Sequence, residues 1–274
     1  TIGVAFFVGV SSSSSVMSAS VDKYDDELNL KDITIYSNYG FDQEDLTAVK
    51  KLSEVSDAEL SYFVDVTATA DANSMITRIH SYNASSAINQ FVLKQGRLPE
   101  NNHECLSENG SDLEQGFALD STVTFTRPDD DLSDYIITNS CKVVGTIDTP
   151  LYLDEVKENS TLANRYINTY LYIPSSAFST DYYTEMNILL TDAKAYNSFS
   201  DDYETFAKNA KEKIEEVAES QQDHRHDVVV ADAQKKYDDG LKDYETAQNE
   251  YDTKIADAKQ QIAENVQKIA DGEK

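Results

Sequence analysis

Apolar residues along this chain keep two rhythms. Up to about residue 200 they come in short runs, each closed by Gly, Pro, Asn or Asp. That is the punctuation of strands joined by turns. From Ser200 onward they recur at steps of three and four, the rhythm of a helix. In the front half, Asp32 to Ser37 (DITIYS) reads as a strand. FDQEDLTAVKKLSEV follows, with Asp42 as N-cap and Leu46, Val49 and Leu52 on one helical face. AELSYFVDVTA, MITRIHSYN and INQFVLKQG read as further strands. HECLS, STVTFTR, CKVVGTIDTPLYLD and TYLYIPSSAF continue the series, and NILLTDA (Asn187 to Ala193) closes it. A β-α-β opening followed by more strands predicts the α+β class, a small mixed α/β globular domain built in layers.

The tail is different. Tyr203, Phe206, Ala210, Ile214 and Val217 mark an amphipathic helix. Beyond QQDHRHDVVV, Tyr237, Leu241, Tyr244, Gln248, Tyr251, Ile255, Ala258, Ile262, Asn265 and Ile269 alternate four- and three-residue steps. This is a heptad seam, with Asp, Glu, Lys, Gln and Ala on most other positions. At 1.5 Å per residue its helix reaches roughly 50 Å. No proline follows Pro174, and no glycine lies between Gly145 and Gly240. The expectation is a helix projecting from the body, with its seam waiting for a returning helix from outside this sequence. The organisation read this way is 1–30 as a helical lead-in, 31–200 as the globular domain and 201–274 as a helical stalk.

Charge narrows the function. There are 50 acidic and 23 basic residues among 274, a formal net charge of −27. Such a surface repels nucleic acid and anionic headgroups, so neither is an expected partner. Hydrophobic residues make up 40%, including 17 Tyr and 10 Phe, enough for a packed core. The opening TIGVAFFVGV is too short to span a bilayer, which needs about 20 apolar residues. It reads either as a buried strand or helix turn over Val4 to Val10, or as the outer end of a transmembrane helix. The absence of a starting Met and the helix-compatible SSSSSVMSASVDKYDDELN behind it favour the second.

Candidate chemistry is sparse. Cys105 and Cys141 are the two cysteines, with no C-x-x-C. HECLS and NSCKVVG both read as strands in one turn-rich region, and neighbouring strands bring Cα atoms within disulfide range. Outside a cell the pair is expected to be oxidised; inside, two inert core thiols are the alternative. No G-x-S-x-G, H-E-x-x-H, Walker loop or G-x-G-x-x-G occurs. No enzyme activity, catalytic residue, cofactor or metal is therefore expected. Asp223-His224-Arg225-His226-Asp227 invites a metal reading, since on a strand the two histidines would share a face. Its helical flanks point instead to a polar bend or helix start. His80 and His103 are isolated. Asp25-Asp26 and Asp129-Asp130-Asp131 lack the spacing of a calcium loop and read as solvated turns. The Tyr237, Tyr244 and Tyr251 stripe reads as coiled-coil core rather than a ligand platform. Sequons start at Asn83, Asn109 and Asn159.

Several phrases, in order, resemble one family. GRLPENNHEC at 96–105 is similar to the "GRLP" turn of extracytoplasmic domains in FtsX-like, MacB-like ABC transporter permeases. VVGTIDTPLYLD at 143–154 resembles their "VGxVxxPxY" strand and turn, and YLYIPSSAF at 170–178 their "YIPxxxF" strand. Asp32 to Phe41 resembles the strand that follows their first membrane helix. The tail from Ala231 resembles the ascending arm of the coiled-coil hairpin inserted in Gram-positive members, including Tyr237 to Gly240 and Ala270 to Lys274. The likeness spans nearly the whole chain. Two departures stand out: the family's other membrane helices and ATPase-gripping face are not in this sequence, and Lys157-Glu158-Asn159-Ser160 replaces an "R-G" element.

The resemblance implies a non-catalytic domain on the extracellular side of the cell membrane. Its expected partners are a cytoplasmic ABC ATPase subunit, a second permease subunit, the returning coiled-coil helix and a cell-envelope protein. It implies movement passed outward for export of a peptide or lipid-like substrate, or for activating that envelope partner. The rival is a secreted or wall-attached adhesin-like stalk. A metal-dependent surface hydrolase rests on 223–227 alone.

Overall fold

The computed structural model describes residues 16–71, 73–110, 116–128, 130–152, 157–162 and 165–272. The chain divides into two compact units between Gln221 and Gln222. The opening TIGVAFFVGV lies outside the described residues, and among these no helix is long and apolar enough to cross a membrane.

The first unit begins with a helix over 16–27 (α1). There follow β1 (Ile33–Phe41), α2 (Gln43–Val49), β2 (Val55–Ser61), β3 (Phe63–Ala70), β4 (Asn73–Tyr82) and β5 (Val92–Gly96). Next come β6 (Glu104–Glu108), β7 (Thr122–Thr126), β8 (Ser140–Asp148), β9 (Thr169–Pro174) and β10 (Tyr183–Leu190). The last element is α3 (Asp201–Gly272).

β1, β10 and β2 form a three-stranded antiparallel sheet with β10 in the middle. Asp42 caps α2 as its sequence foretells. Its side chain accepts from the N–H groups of Glu44 (2.8 Å) and Asp45 (3.2 Å), while Asp45 accepts from the Asp42 N–H (2.8 Å). This reciprocal box satisfies donors that a short helix otherwise leaves orphaned. Val49 of α2, Leu60 of β2, and Met186 and Ile188 of β10 share one buried cluster with Ala210 and Ile214 of α3. Tyr203, Phe206 and Val217 pack against it. The amphipathic face of 201–221 thus belongs to the globular unit, and the unit boundary falls later than the composition break at 200.

The remaining strands are inserted between β2 and β10. β3, β4, β9, β6, β8 and β7 follow one another around a ring, because β8 pairs with β7 as well as with β6. The start of β8 carries β7 (Val123↔Cys141), and its end carries β5 (Val92↔Asp148). Inside the ring lie Val64, Val66 and Ala68 of β3, Ile79 of β4, Phe125 of β7 and Leu171 of β9. The layered expectation describes the three-stranded sheet. The larger sheet instead closes into a small barrel, which removes the exposed edges a flat sheet would carry.

Candidate functional site

Cys105 of β6 and Cys141 of β8 are joined by a disulfide, with Cα atoms 5.8 Å apart. Their strands are parallel neighbours, and both residues are buried inside the barrel. The GRLP turn has its own logic. Gly96 adopts φ +75°, and a Cβ there would lie 2.1 Å from the Val144 carbonyl oxygen, so glycine is required. Arg97 next to it forks onto Glu104 through Nη1 (2.7 Å) and Nη2 (2.6 Å). Arg97, together with the Glu100 N–H, holds the Glu104 carboxyl at about 2.

The second unit is the rest of α3. Tyr237, Leu241, Tyr244, Tyr251, Ile255, Ile262 and Ile269 all lie on it and are between 38% and 66% exposed. Ala258 is exposed as well. Together they form an exposed stripe of mostly apolar side chains along the helix. Hydrogen bonds among its described side chains run along the helix, as in Gln248 to Asp252 (3.2 Å) and Gln260 to Glu264 (2.9 Å).

The bend expected at 223–227 is absent. α3 continues through these residues, since no Gly or Pro is there to break it. On a helix, positions 224 and 226 point apart. The side chain of His224 lies outside the described residues, and His226 Nδ1 sits 3.5 Å from Asp227. Among the described residues no cluster of three metal-ligating side chains occurs. Asp131 caps a turn through the Ser133 N–H, Asp130 pairs with Arg127 (2.8 Å), and Asp129 lies outside the described residues. Asp25 and Asp26 sit at the end of α1. His103 Nδ1 meets the Thr138 hydroxyl at 3.2 Å.

Sequence reasoning missed a layer of buried charge. Asp65 of β3 and Arg78 of β4 point out of the barrel yet are almost wholly buried. Arg78 donates to both Asp65 oxygens, from Nε (2.8 Å) and Nη2 (3.0 Å). The cover is the Lys157–Ser160 segment. Glu158 accepts from Arg78, Ser160 Oγ lies 3.3 Å from Asp65, and Lys157 pairs with buried Glu108 at 3.0 Å. A charged residue in the middle of an apolar strand, as in MITRIHSYN, is the signal that could have found it.

His80 is also more than an isolated histidine. It forms part of the wall of a cavity of about 320 Å³ between the three-stranded sheet and the barrel. Its Nε2 lies 2.8 Å from the Tyr152 hydroxyl, and its ring stacks on Tyr172 with centroids 5.2 Å apart. Burial, then the charges of Arg78 and Lys31, push its pKa well below the usual range, so the ring is neutral. β2 and β10 contribute Glu59, Ser61, Glu185 and Asn187 to one wall. Tyr82, Phe91, Leu98, Leu151 and Tyr172 contribute apolar surface.

No family model matches the sequence, and no curated protein matches it. Among solved structures the chain is similar to the extracellular domain of the noncanonic ABC-type transporter YknZ from Gram-positive bacteria. They are 13% identical, with 64% of this chain and 86% of that chain covered, at a TM-score of 0.33. It is similar also to the periplasmic region of MacB from Actinobacillus actinomycetemcomitans. Here identity is 14%, coverage 69% and 76%, and the TM-score 0.36. At such scores the likeness is loose and assigns no activity.

Proposed function

We propose that this chain is an extracytoplasmic, non-catalytic domain of an ABC transporter permease. A separate cytoplasmic ATPase subunit does the chemistry, and a second permease subunit completes the assembly. The domain turns the resulting movement into work outside the membrane, in export of a peptide or lipid-like substrate or in driving a cell-envelope partner. The observation that carries this reading is the uncovered seam of α3. A heptad face whose large side chains stay exposed is built to pair with another helix. A two-helix rod is stiff and transmits a small rotation over its length. The ordered phrases from Gly96 to Phe178 support the same family.

The test uses the full-length polypeptide in its own cell. It should fractionate with membranes and copurify with an ABC ATPase. Ile255→Asp with Ile262→Asp should abolish export while leaving membrane level and ATPase copurification intact. Export that continues although circular dichroism of the purified 274-residue variant shows lost helix would rule out the lever. Release of the full-length polypeptide into the medium or wall fraction would favour the adhesin-like stalk.

A further inference from the structure

We infer that the cavity between the three-stranded sheet and the barrel is a binding site for an organic ammonium ion carrying an apolar body. The inference stands apart from the transporter reading, because it rests on the walls of the cavity alone. Its polar wall holds two carboxylates, Glu59 and Glu185, and among the described residues no Lys or Arg lines the space. Among the described residues of this unit, the other acids that are almost wholly buried have dedicated partners. Asp65 has Arg78, Glu108 has Lys157, and Asp45 has the N–H of the helix cap. The cavity acids have neutral donors instead. Glu185, only 5% exposed, accepts from Ser61 Oγ and from Asn187 Nδ2 at 3.2 Å. Glu59 accepts from Ser86 Oγ.

Among the described residues, no Lys or Arg nitrogen lies within the 4.0 Å of an ion pair from either carboxylate. Lys31 acts on Glu185, and Lys50 on Glu59, at longer range only. His80 is neutral and adds no charge. A buried and a half-buried carboxylate facing one hollow repel each other, and a positive charge entering it would relieve that cost. An anion would be repelled there.

The apolar wall says what accompanies that charge. Phe91 lies 5.7 Å from Tyr82 and 5.6 Å from Tyr172, centroid to centroid, and Tyr172 stacks on His80. Such a panel takes a flat or aliphatic body and also attracts a cation to its ring faces. A volume of about 320 Å³ is at the small end for ligand sites, right for a small amine or one cationic side chain. The chain's net charge of −27 raises the local concentration of cations.

The test titrates the 274-residue chain with 4-phenylbutylammonium, its neutral alcohol and its carboxylate, by calorimetry and by amide NMR shifts. The ammonium should saturate, the alcohol should bind at least about tenfold more weakly, and the carboxylate should not bind. Glu59→Gln with Glu185→Gln should bring the ammonium down to the level of the alcohol without changing the alcohol. Phe91→Ala should weaken both together. Should the double variant unfold, Glu59→Gln alone decides, since its carboxylate is only half-buried and a measurable loss of ammonium preference is still required. Equal affinity for ammonium and alcohol overturns the inference. So does ammonium binding that survives the substitutions, shifts confined to residues away from Phe91 and Tyr172, or no saturation below about 10 mM.

Discussion

Replacing Arg78 by methionine isolates the one guanidinium that neutralises Asp65. The side chains are 5% and 0% exposed, so solvent screens neither. Asp65 accepts from Arg78 Nε and Nη2 and from the Thr161 N–H at 2.7 Å. Arg78 also donates to Glu158 and to the Asn159 carbonyl (3.3 Å), and its guanidinium lies 4.4 Å over the Phe63 ring. Methionine keeps the stem packing and removes the charge. Leaving one member of a buried pair alone costs about 3–5 kcal/mol. The expected loss for Arg78→Met is therefore about 4 kcal/mol. The double variant Asp65→Leu/Arg78→Met removes both charges, and well-packed apolar replacements of buried pairs are often neutral. It still leaves the Thr161 N–H without its acceptor, a cost of about 1–3 kcal/mol. The double variant should thus be more stable than Arg78→Met alone. Urea unfolding followed through the amide NMR signals of β3 and β4 reads the barrel without interference from α3. A cost below about 1 kcal/mol for Arg78→Met, or a double cost equal to the sum of the singles, would refute the reasoning.

Three further outcomes follow from other elements. Cys105→Ala with Cys141→Ala opens a loop of 36 residues, and the chain-entropy relation gives a loss of about 4 kcal/mol; an unchanged urea midpoint would count against it. Asp25 is pushed up to about 6, by burial first and then by Asp22 and Asp26, and its Oδ1 is buried with no hydrogen-bond partner. A carboxyl raised on folding gives stability that is complete below its unfolded value of about 3.9 and is lost as pH rises through the folded value. Because the side chain is only partly buried, the effect is discounted to about 1 kcal/mol. Asp25→Asn should raise Tm at pH 7 by about 2–4 °C and flatten the slope between pH 4 and 7, whereas a lower Tm would contradict it. Gly240 lies inside α3, and a methyl group on its Cα would meet nothing within 4 Å, so Gly240→Ala should gain up to about 1 kcal/mol of helix, read as increased ellipticity at 222 nm; a decrease would mean a non-helical backbone there.

Most strands were legible because each apolar run ends at a turn residue, and α2 because Asp42 stands where an N-cap must. The ring closure was not. It depends on β7 pairing with the start of β8 while β5 takes the end, and nothing local in STVTFTR or CKVVGTID says which strand lies alongside. Asp65 in FVDVTATA stands on the outer face of β3. Its burial comes from a cover nearly a hundred residues later, in a segment legible only as a departure from a pattern. The cavity was equally hidden. Glu59, His80, Phe91, Tyr172 and Glu185 come from five separate segments, and no spacing rule links them. The misplaced bend at 223–227 has a simple cause: a polar stretch is no break in itself, whereas Gly and Pro are, and neither occurs there.

The two units differ in what holds them, and the difference bears on how the arm can work. The first has a disulfide, two buried ion pairs and packed clusters. In the second, every described side chain from 230 to 272 is exposed. Its ion pairs join neighbouring turns, such as Lys236 to Asp232 at 2.8 Å, and exposed pairs of this kind add little because solvent screens them. Helices held only by propensity are marginal in water. Tyr244, Tyr251, Ile255 and Ile262 gain roughly 1.5–3 kcal/mol apiece only when a second helix covers them. Order in the arm and occupancy of the seam are then one equilibrium, shifted by the local concentration of the partner helix. A substitution that weakens pairing must lower helicity by the same linkage, and a gain in helicity at Gly240 must tighten pairing. Under the proposed lever function, stiffness is something the arm acquires on assembly, and movement would pass along it only while the seam is closed.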